Sequence, residues 1–145
     1  MIVFGDASAL VKIYADEPES ELIRGIPSMV VSQIARVEVP SAIWRKARCG
    51  ELSGDEAALL VADFEADYYG TADGRSRFIP VDITVVVLEA AARLARRHYL
   101  RSGDAIQLAS AVLAAEADPD ITGFAAWDKR LREAAATEGF TLIPA

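Results

Sequence analysis

The chain has one cysteine, Cys49, and one histidine, His98. A lone cysteine excludes an internal disulfide, and the two residues together cannot supply the ligands of a structural zinc site. No apolar run approaches the roughly 18 residues that span a bilayer, so no membrane is expected among its partners. The first residues lack the basic start of a signal peptide and pass straight into an apolar run. A reducing cytoplasm is therefore the expected compartment. Positive charge is also short: 15 Lys and Arg against 22 Asp and Glu leave a formal net charge of −7. The sum argues against bulk attraction to nucleic acid, but the charge is unevenly placed. Seven acids and no base lie between Glu51 and Asp73, and four arginines and no acid lie between Arg93 and Arg101. Arg45, Lys46 and Arg48 form a second basic group, and Lys129, Arg130 and Arg132 a third. Solvated helix faces account for any one such stretch. Together they offer basic ground for phosphates and acidic ground for a basic protein.

What is present is core material. Hydrophobic residues make up 52% of the 145 and charged residues 26%, the balance of a soluble globular protein. That length is expected to form a single domain, residues 1–145, with two helical layers on a sheet.

Short apolar runs alternate with helical patterns. Strands are expected at 2–5, 29–32, 78–81, 122–126 and 140–143. The run at 78–81 is placed near an edge because Pro80 cannot donate to a ladder. Helices are expected from about Ser8 to Ala15, from Pro18 to Gly25, from Gln33 to Arg48, from Ser53 to Gly70, and from Thr84 to His98. Two more begin near Ser102, read as a cap, and near Asp128. The apolar stripe of the Thr84 helix is read as Val85, Leu88, Ala91, Ala92 and Ala95, and that of the Ser102 helix as Ala105, Leu108, Ala109, Val112 and Leu113. Residues 71–77 are polar and glycine-containing, hence a loop. Strands separated by helices imply an α/β fold with a mainly parallel central sheet covered on both faces.

Acids stand where strands hand over to helices, the place where open α/β sheets build their sites. Asp6 follows the first strand and Asp128 the fourth; either could simply cap the next helix. Asp104 near the start of its helix could be there for the helix dipole alone. Glu38 is the most informative. Its neighbours one turn away are Ile34, Ala35, Ser41 and Ala42, none of them basic, so its carboxylate needs a partner from elsewhere. Were the helix to begin only at Pro40, Glu38 would be an innocuous entry residue. Asp82 also follows a strand and precedes a helix, but nothing further marks it, and it is read as a loop or capping residue. If the four other acids met within about 4 Å, each ionised pair would repel by roughly 4 kcal/mol at an effective dielectric of 20. Such a cluster takes up protons or cations. All-oxygen ligands without His or Cys suit Mg²⁺ or Mn²⁺.

At these residues the chain resembles the PIN-domain family, and within it the VapC-type toxins of toxin–antitoxin pairs. Ile2 to Lys12 is similar to the family's strand followed by D-x-S-A-L-V-K. Arg36-Val37-Glu38 resembles its R-x-E segment, Leu100 to Ala109 its L-R-x-x-D-A-[IL]-[HQ]-L-A segment, and Phe124 to Leu131 its last strand and A-D-[KR]-R-L. The match runs in order over nearly the whole chain. Ala126 stands where the family often has Thr or Ser, Trp127 where a small residue is usual, and Pro40 is not typical of the central helix.

The resemblance implies a PIN-like three-layer α/β/α fold and hydrolysis of RNA phosphodiesters by water activated at Mg²⁺ or Mn²⁺. Asp6 and Asp104 would be the main metal ligands, Glu38 and Asp128 would complete the set, and Ser8 would orient Asp6. It also implies a homodimer held inactive by a small cognate antitoxin, whose segment lies in an apolar groove among the N-terminal helices. Tyr14, Trp44, Phe64, Tyr68 and Tyr69 supply aromatic area there or in the core. His98, among arginines, is expected to be solvated or phosphate-facing and not a general base. Two other readings remain. A haloacid-dehalogenase-type phosphatase needs a second Asp two residues after Asp6, where Ser8 stands. A non-catalytic PIN-like module that binds RNA or protein is the alternative from another class.

Overall fold

The computed structural model describes residues 1–145. Five parallel strands are joined by helices: β1 (Ile2–Gly5), α1 (Ala7–Tyr14), α2 (Ser20–Arg24), β2 (Met29–Ser32), α3 (Ala35–Arg48), α4 (Gly54–Tyr69), β3 (Phe78–Val81), α5 (Val85–His98), α6 (Ser102–Ala117), β4 (Ile121–Ala125), α7 (Lys129–Thr137) and β5 (Thr141–Ile143). The sheet order is β3-β2-β1-β4-β5, with every pairing parallel. Pro80 lies in edge strand β3, as its missing N–H requires.

Each strand splits its side chains between two cores, following the two-residue period of a strand. Phe4, Val30 and Phe124 face the core under α5, α6 and α7. Val3, Met29, Val31 and Ala125 face the core under α1, α3 and α4, which also holds Leu10, Ile43, Phe64 and Phe78. No helix is long and apolar enough to cross a membrane.

The order reverses at β1: the chain builds outward through β2 and β3, then returns to place β4 on the other side. Ligand crevices of open α/β sheets form at such a switch, beyond the carboxyl ends of the strands. Asp6 leaves β1 there and Asp128 follows β4.

Three local readings are corrected. In α5 the buried residues are Val87, Ala90, Ala91 and Leu94, while Val85 and Leu88 are exposed. Apolar residues occur all round the first turns of this helix, so periodicity alone does not fix its rotation; contact with α6 does. Ser102 is the first residue of α6 and not its cap; Arg101 holds the cap position without a side-chain bond. Helix α2 starts at Ser20, so Pro18 precedes its first turn. Helix α3 starts at Ala35 and runs through Pro40. It loses the N–H that would meet the Arg36 carbonyl, yet persists because Ala35, Val39 and Ile43 are fully buried. Glu38 is therefore a helical residue.

Phe124 is the centre of an aromatic row, with ring centroids 5.4 Å from Phe4 and 5.6 Å from Phe140. Phe124→Ala is expected to cost about 3–5 kcal/mol, read as a lower urea midpoint at unchanged slope. A cost below about 1 kcal/mol would mean that this core collapses to refill the void.

Candidate active site

Asp6 is both a helix cap and a buried charge. Its Oδ1 accepts hydrogen bonds from the Ser8 hydroxyl at 2.6 Å and the Ala9 N–H at 3.0 Å. Its backbone N–H is tied to the Ala125 carbonyl on β4. No protein donor reaches Oδ2. Burial pushes the Asp6 carboxyl up to about 7 against the lowering effect of the Ser8 and Ala9 hydrogen bonds, and the negative charges of Asp104 and Glu38 push it further.

Ser8 also accepts a bond from the Trp127 N–H at 3.2 Å. One hydroxyl thus fixes the Asp6 carboxylate and the backbone just before Asp128. The Ala126–Trp127 departure does not displace the last acid. Ala126 is wholly buried, its carbonyl accepts a bond from Arg132, and Asp128 caps α7 through its Oδ2, which accepts from the Leu131 N–H at 2.9 Å.

Glu38 finds its partner across the crevice. Gln107 Nε2 on α6 donates to Glu38 Oε1 at 2.8 Å. Only this orientation of the amide suits a carboxylate, since the reverse would set oxygen against oxygen. Gln107 is itself buried, and its Oε1 meets no donor. The other carboxylate oxygen lies against Gly103: a Cβ there would sit 2.8 Å from Glu38 Oε2. Gly103 is the residue that reading the sequence missed. Its only signal was its place one turn before Gln107, beside Asp104.

Asp104 is half-buried, and its carboxyl is held above the usual carboxylate range by burial first, then by Asp128 and Glu38, with Arg101 opposing. The four acids therefore share one electrostatic neighbourhood at the end of β1 and β4. They do not form a ready cage: no three of them close on a single point. Asp6 and Asp128 each commit an oxygen to a helix cap, and Glu38 commits one to Gln107. Asp82 is exposed in the loop before α5, and Thr84 caps that helix instead. His98 is not solvated, contrary to expectation. Its Nε2 lies 2.8 Å from Glu138 Oε2, with both side chains largely covered. Its partner, Glu138, stands at the C-terminal end of α7, 40 residues on in the chain.

The PIN-domain family model matches residues 3–136. The chain belongs to the PIN-domain family. It is 36% identical over 148 aligned positions to Ribonuclease VapC45 and to Ribonuclease VapC49, each from a strain of Mycobacterium tuberculosis, covering 99% of this chain and 96% of either relative. Among solved structures, it is similar to the crystal structure of PAE2754 from Pyrobaculum aerophilum, with a TM-score of 0.65 at 20% identity over 99% of this chain and 90% of that one. That likeness concerns the fold alone.

The raised Asp6 carboxyl has a consequence for stability. Its folded pKa lies above the ordinary value of 3.8, so between about pH 4 and pH 7 the folded chain binds more protons than the unfolded one. Its contribution destabilises the fold as pH rises through that window. Metal-free Asp6→Asn keeps an acceptor for Ser8 and Ala9 without the charge. At pH 8 it is expected to be more stable than the parent by on the order of a few kcal/mol, and at pH 4 nearly equal to it. Equal stability of the two proteins at pH 8 would show that the Asp6 charge is not desolvated.

Proposed function

We propose that the chain is a single PIN nuclease domain over residues 1–145, a metal-dependent endoribonuclease and the toxin of a toxin–antitoxin pair. The observation that carries this reading is a buried carboxyl, Asp6, at the switch point of a parallel sheet, whose ionisation is opposed first by burial and then by the nearby Asp104 and Glu38. The relatives' printed names, Ribonuclease VapC45 and VapC49, supply the substrate class and the system.

The donor set fits Mg²⁺ or Mn²⁺: four carboxylates, no imidazole and no thiolate. Asp6, through its free Oδ2, and Asp104 would be the principal ligands. Glu38 and Asp128 would complete the set directly or through water. Such a cation lowers the pKa of an attacking water and neutralises charge that develops on a phosphoryl group. Ser8 and the Ala9 N–H fix the Asp6 carboxylate through Oδ1, leaving Oδ2 without a protein donor. Gln107 aims Glu38, and Gly103 leaves room for it. Burial keeps Asp6 in a region of low dielectric, where its charge acts strongly on whatever binds.

The same reading assigns the partner. Between α1, α3 and α4 a cavity of about 420 Å³ is lined by Tyr14, Leu52, Leu59 and Leu60 together with Asp16, Glu51, Glu56 and Lys46, the last paired with Glu51. Apolar side chains beside three acids and one lysine leave a net negative lining that suits a basic amphipathic antitoxin segment. Of the aromatics expected there, Phe64 and Tyr68 are buried in the core, and Trp44 and Tyr69 are exposed. Exposed Val85, Val86 and Leu88 leave an apolar strip on α5 that a second copy would cover in a homodimer. The non-catalytic alternative is disfavoured because Ser8, Gly103 and Gln107 serve to orient the acids, a role that binding alone does not require.

Antitoxin-free protein is expected to cut a total-RNA panel into discrete fragments with Mg²⁺ or Mn²⁺. Cleavage should disappear with EDTA and fall by at least about 100-fold in Asp104→Ala. Intact RNA throughout, from a folded protein, would favour the binding module.

A further inference from the structure

Tyr99 ends α5 in the left-handed region, at φ 55° and ψ 44°. A side chain is disfavoured there, and glycine is the usual residue. Helix termination needs only backbone: the N–H groups of Tyr99 and Leu100 both bond the Ala95 carbonyl, and glycine would do the same. Nor does packing account for the aromatic, because Tyr99 is 80% exposed. The ring is held out into solvent on a strained backbone.

Its surroundings are those of the acids. The Tyr99 carbonyl accepts a bond from Arg130 Nη1 at 3.1 Å. Tyr99, Arg101 and Arg130 line one cavity of about 300 Å³ with Asp104 and Asp128. Tyr99 and Arg130 also border a second hollow, of about 550 Å³, whose lining includes none of the four acids. The two hollows meet at Tyr99 and Arg130, the residues they share. Trp127, the other aromatic beside the acids, is not free in this way: Lys12 Nζ sits 4.5 Å from its ring centroid, and its Nε1–H is given to Glu19.

We infer that Tyr99, Arg101 and Arg130 form a nucleotide subsite beside the acids, in which the Tyr99 ring stacks on one base and the two arginines hold the phosphates next to the bond that is cut. The inference rests on the RNA reading of the acids and adds a requirement to it. A base inside a duplex is already stacked on both faces and cannot meet the ring, so the nucleotide at this subsite is unpaired. The arginines supply positive charge beside the acids in a chain whose net charge is −7.

The test separates the ring from the backbone. In an Asp104→Asn background with Mg²⁺, binding of a short fluorescein-labelled RNA is read by anisotropy, unpaired or annealed to its complement. The unpaired form is expected to bind more tightly, and Tyr99→Phe to keep that affinity. Tyr99→Gly should weaken it by roughly five- to 150-fold, the range of one base–aromatic stack, while its melting temperature stays equal or rises as the backbone relaxes. The double variant Arg101→Ala/Arg130→Ala should lower the slope of log K against log salt by about 1.4, at about 0.7 for each phosphate contact on a single strand. With Asp104 restored, Tyr99→Gly should raise KM and spare kcat. Tyr99→Gly binding as tightly as the parent, or no preference for unpaired RNA, overturns the subsite while leaving the nuclease reading in place if the parent cuts RNA. A parent protein that neither cuts nor binds RNA overturns both.

Discussion

A carboxylate kept out of water is the constraint on which this molecule turns. Asp6 lies between the first strand and the first helix, below the surface, with one oxygen fully engaged by Ser8 and Ala9. Desolvation and two neighbouring acids oppose its ionisation. A fold selected for stability alone would place a neutral cap here. The penalty is tolerable where a cation or a proton regularly compensates for it, which is why strained electrostatics of this kind concentrate at functional sites.

The rest of the scaffold is arranged around that point. Parallel strands buried on both faces hold β1 and β4 side by side, so Asp6 and Asp128 emerge from adjacent strand ends. Helices from the two opposite layers then close over the crevice. Helix α3 brings Glu38 from one layer and α6 brings Asp104 from the other, and the Gln107–Glu38 bond spans the two layers. The absence of a side chain at Gly103 is what permits this approach. Ser8 couples the first acid to the loop before the last one. The site is thus built from interactions that are individually modest but that share partners, and such networks respond to mutation as a unit.

Much of this was legible from residues. The strands at 2–5, 29–32 and 78–81 fall where apolar runs meet turn chemistry, and an acid at the end of a strand marks a switch-point site in any open parallel sheet. Glu38 was legible for a negative reason: no basic residue one turn away could explain it. What escaped reading depends on tertiary context. The rotation of α5 is set by its contact with α6, since Val85, Val86 and Leu88 look as fit for burial as Val87 and Leu94. His98 stands among arginines in sequence but meets Glu138 in space, a contact between residues 40 apart that no local pattern contains. Gly103 looked like an ordinary first-turn residue, because the side chain that demands its smallness comes from another helix. Whether four acids on one edge close around an ion is a matter of side-chain rotamers, below the resolution of any spacing argument.

The most direct measurement is calorimetric titration of Mn²⁺ into the protein at pH 6 and pH 8, in buffers of different ionisation enthalpy. With Asp6 titrating at about 7, binding at pH 6 should displace close to one proton and binding at pH 8 far less. Asp6→Asn should take up little or no ion at either pH. No uptake of Mn²⁺ by the parent, or uptake that releases no proton at pH 6 and survives Asp6→Asn, would contradict the assignment of the buried carboxylate as the centre of a cation site.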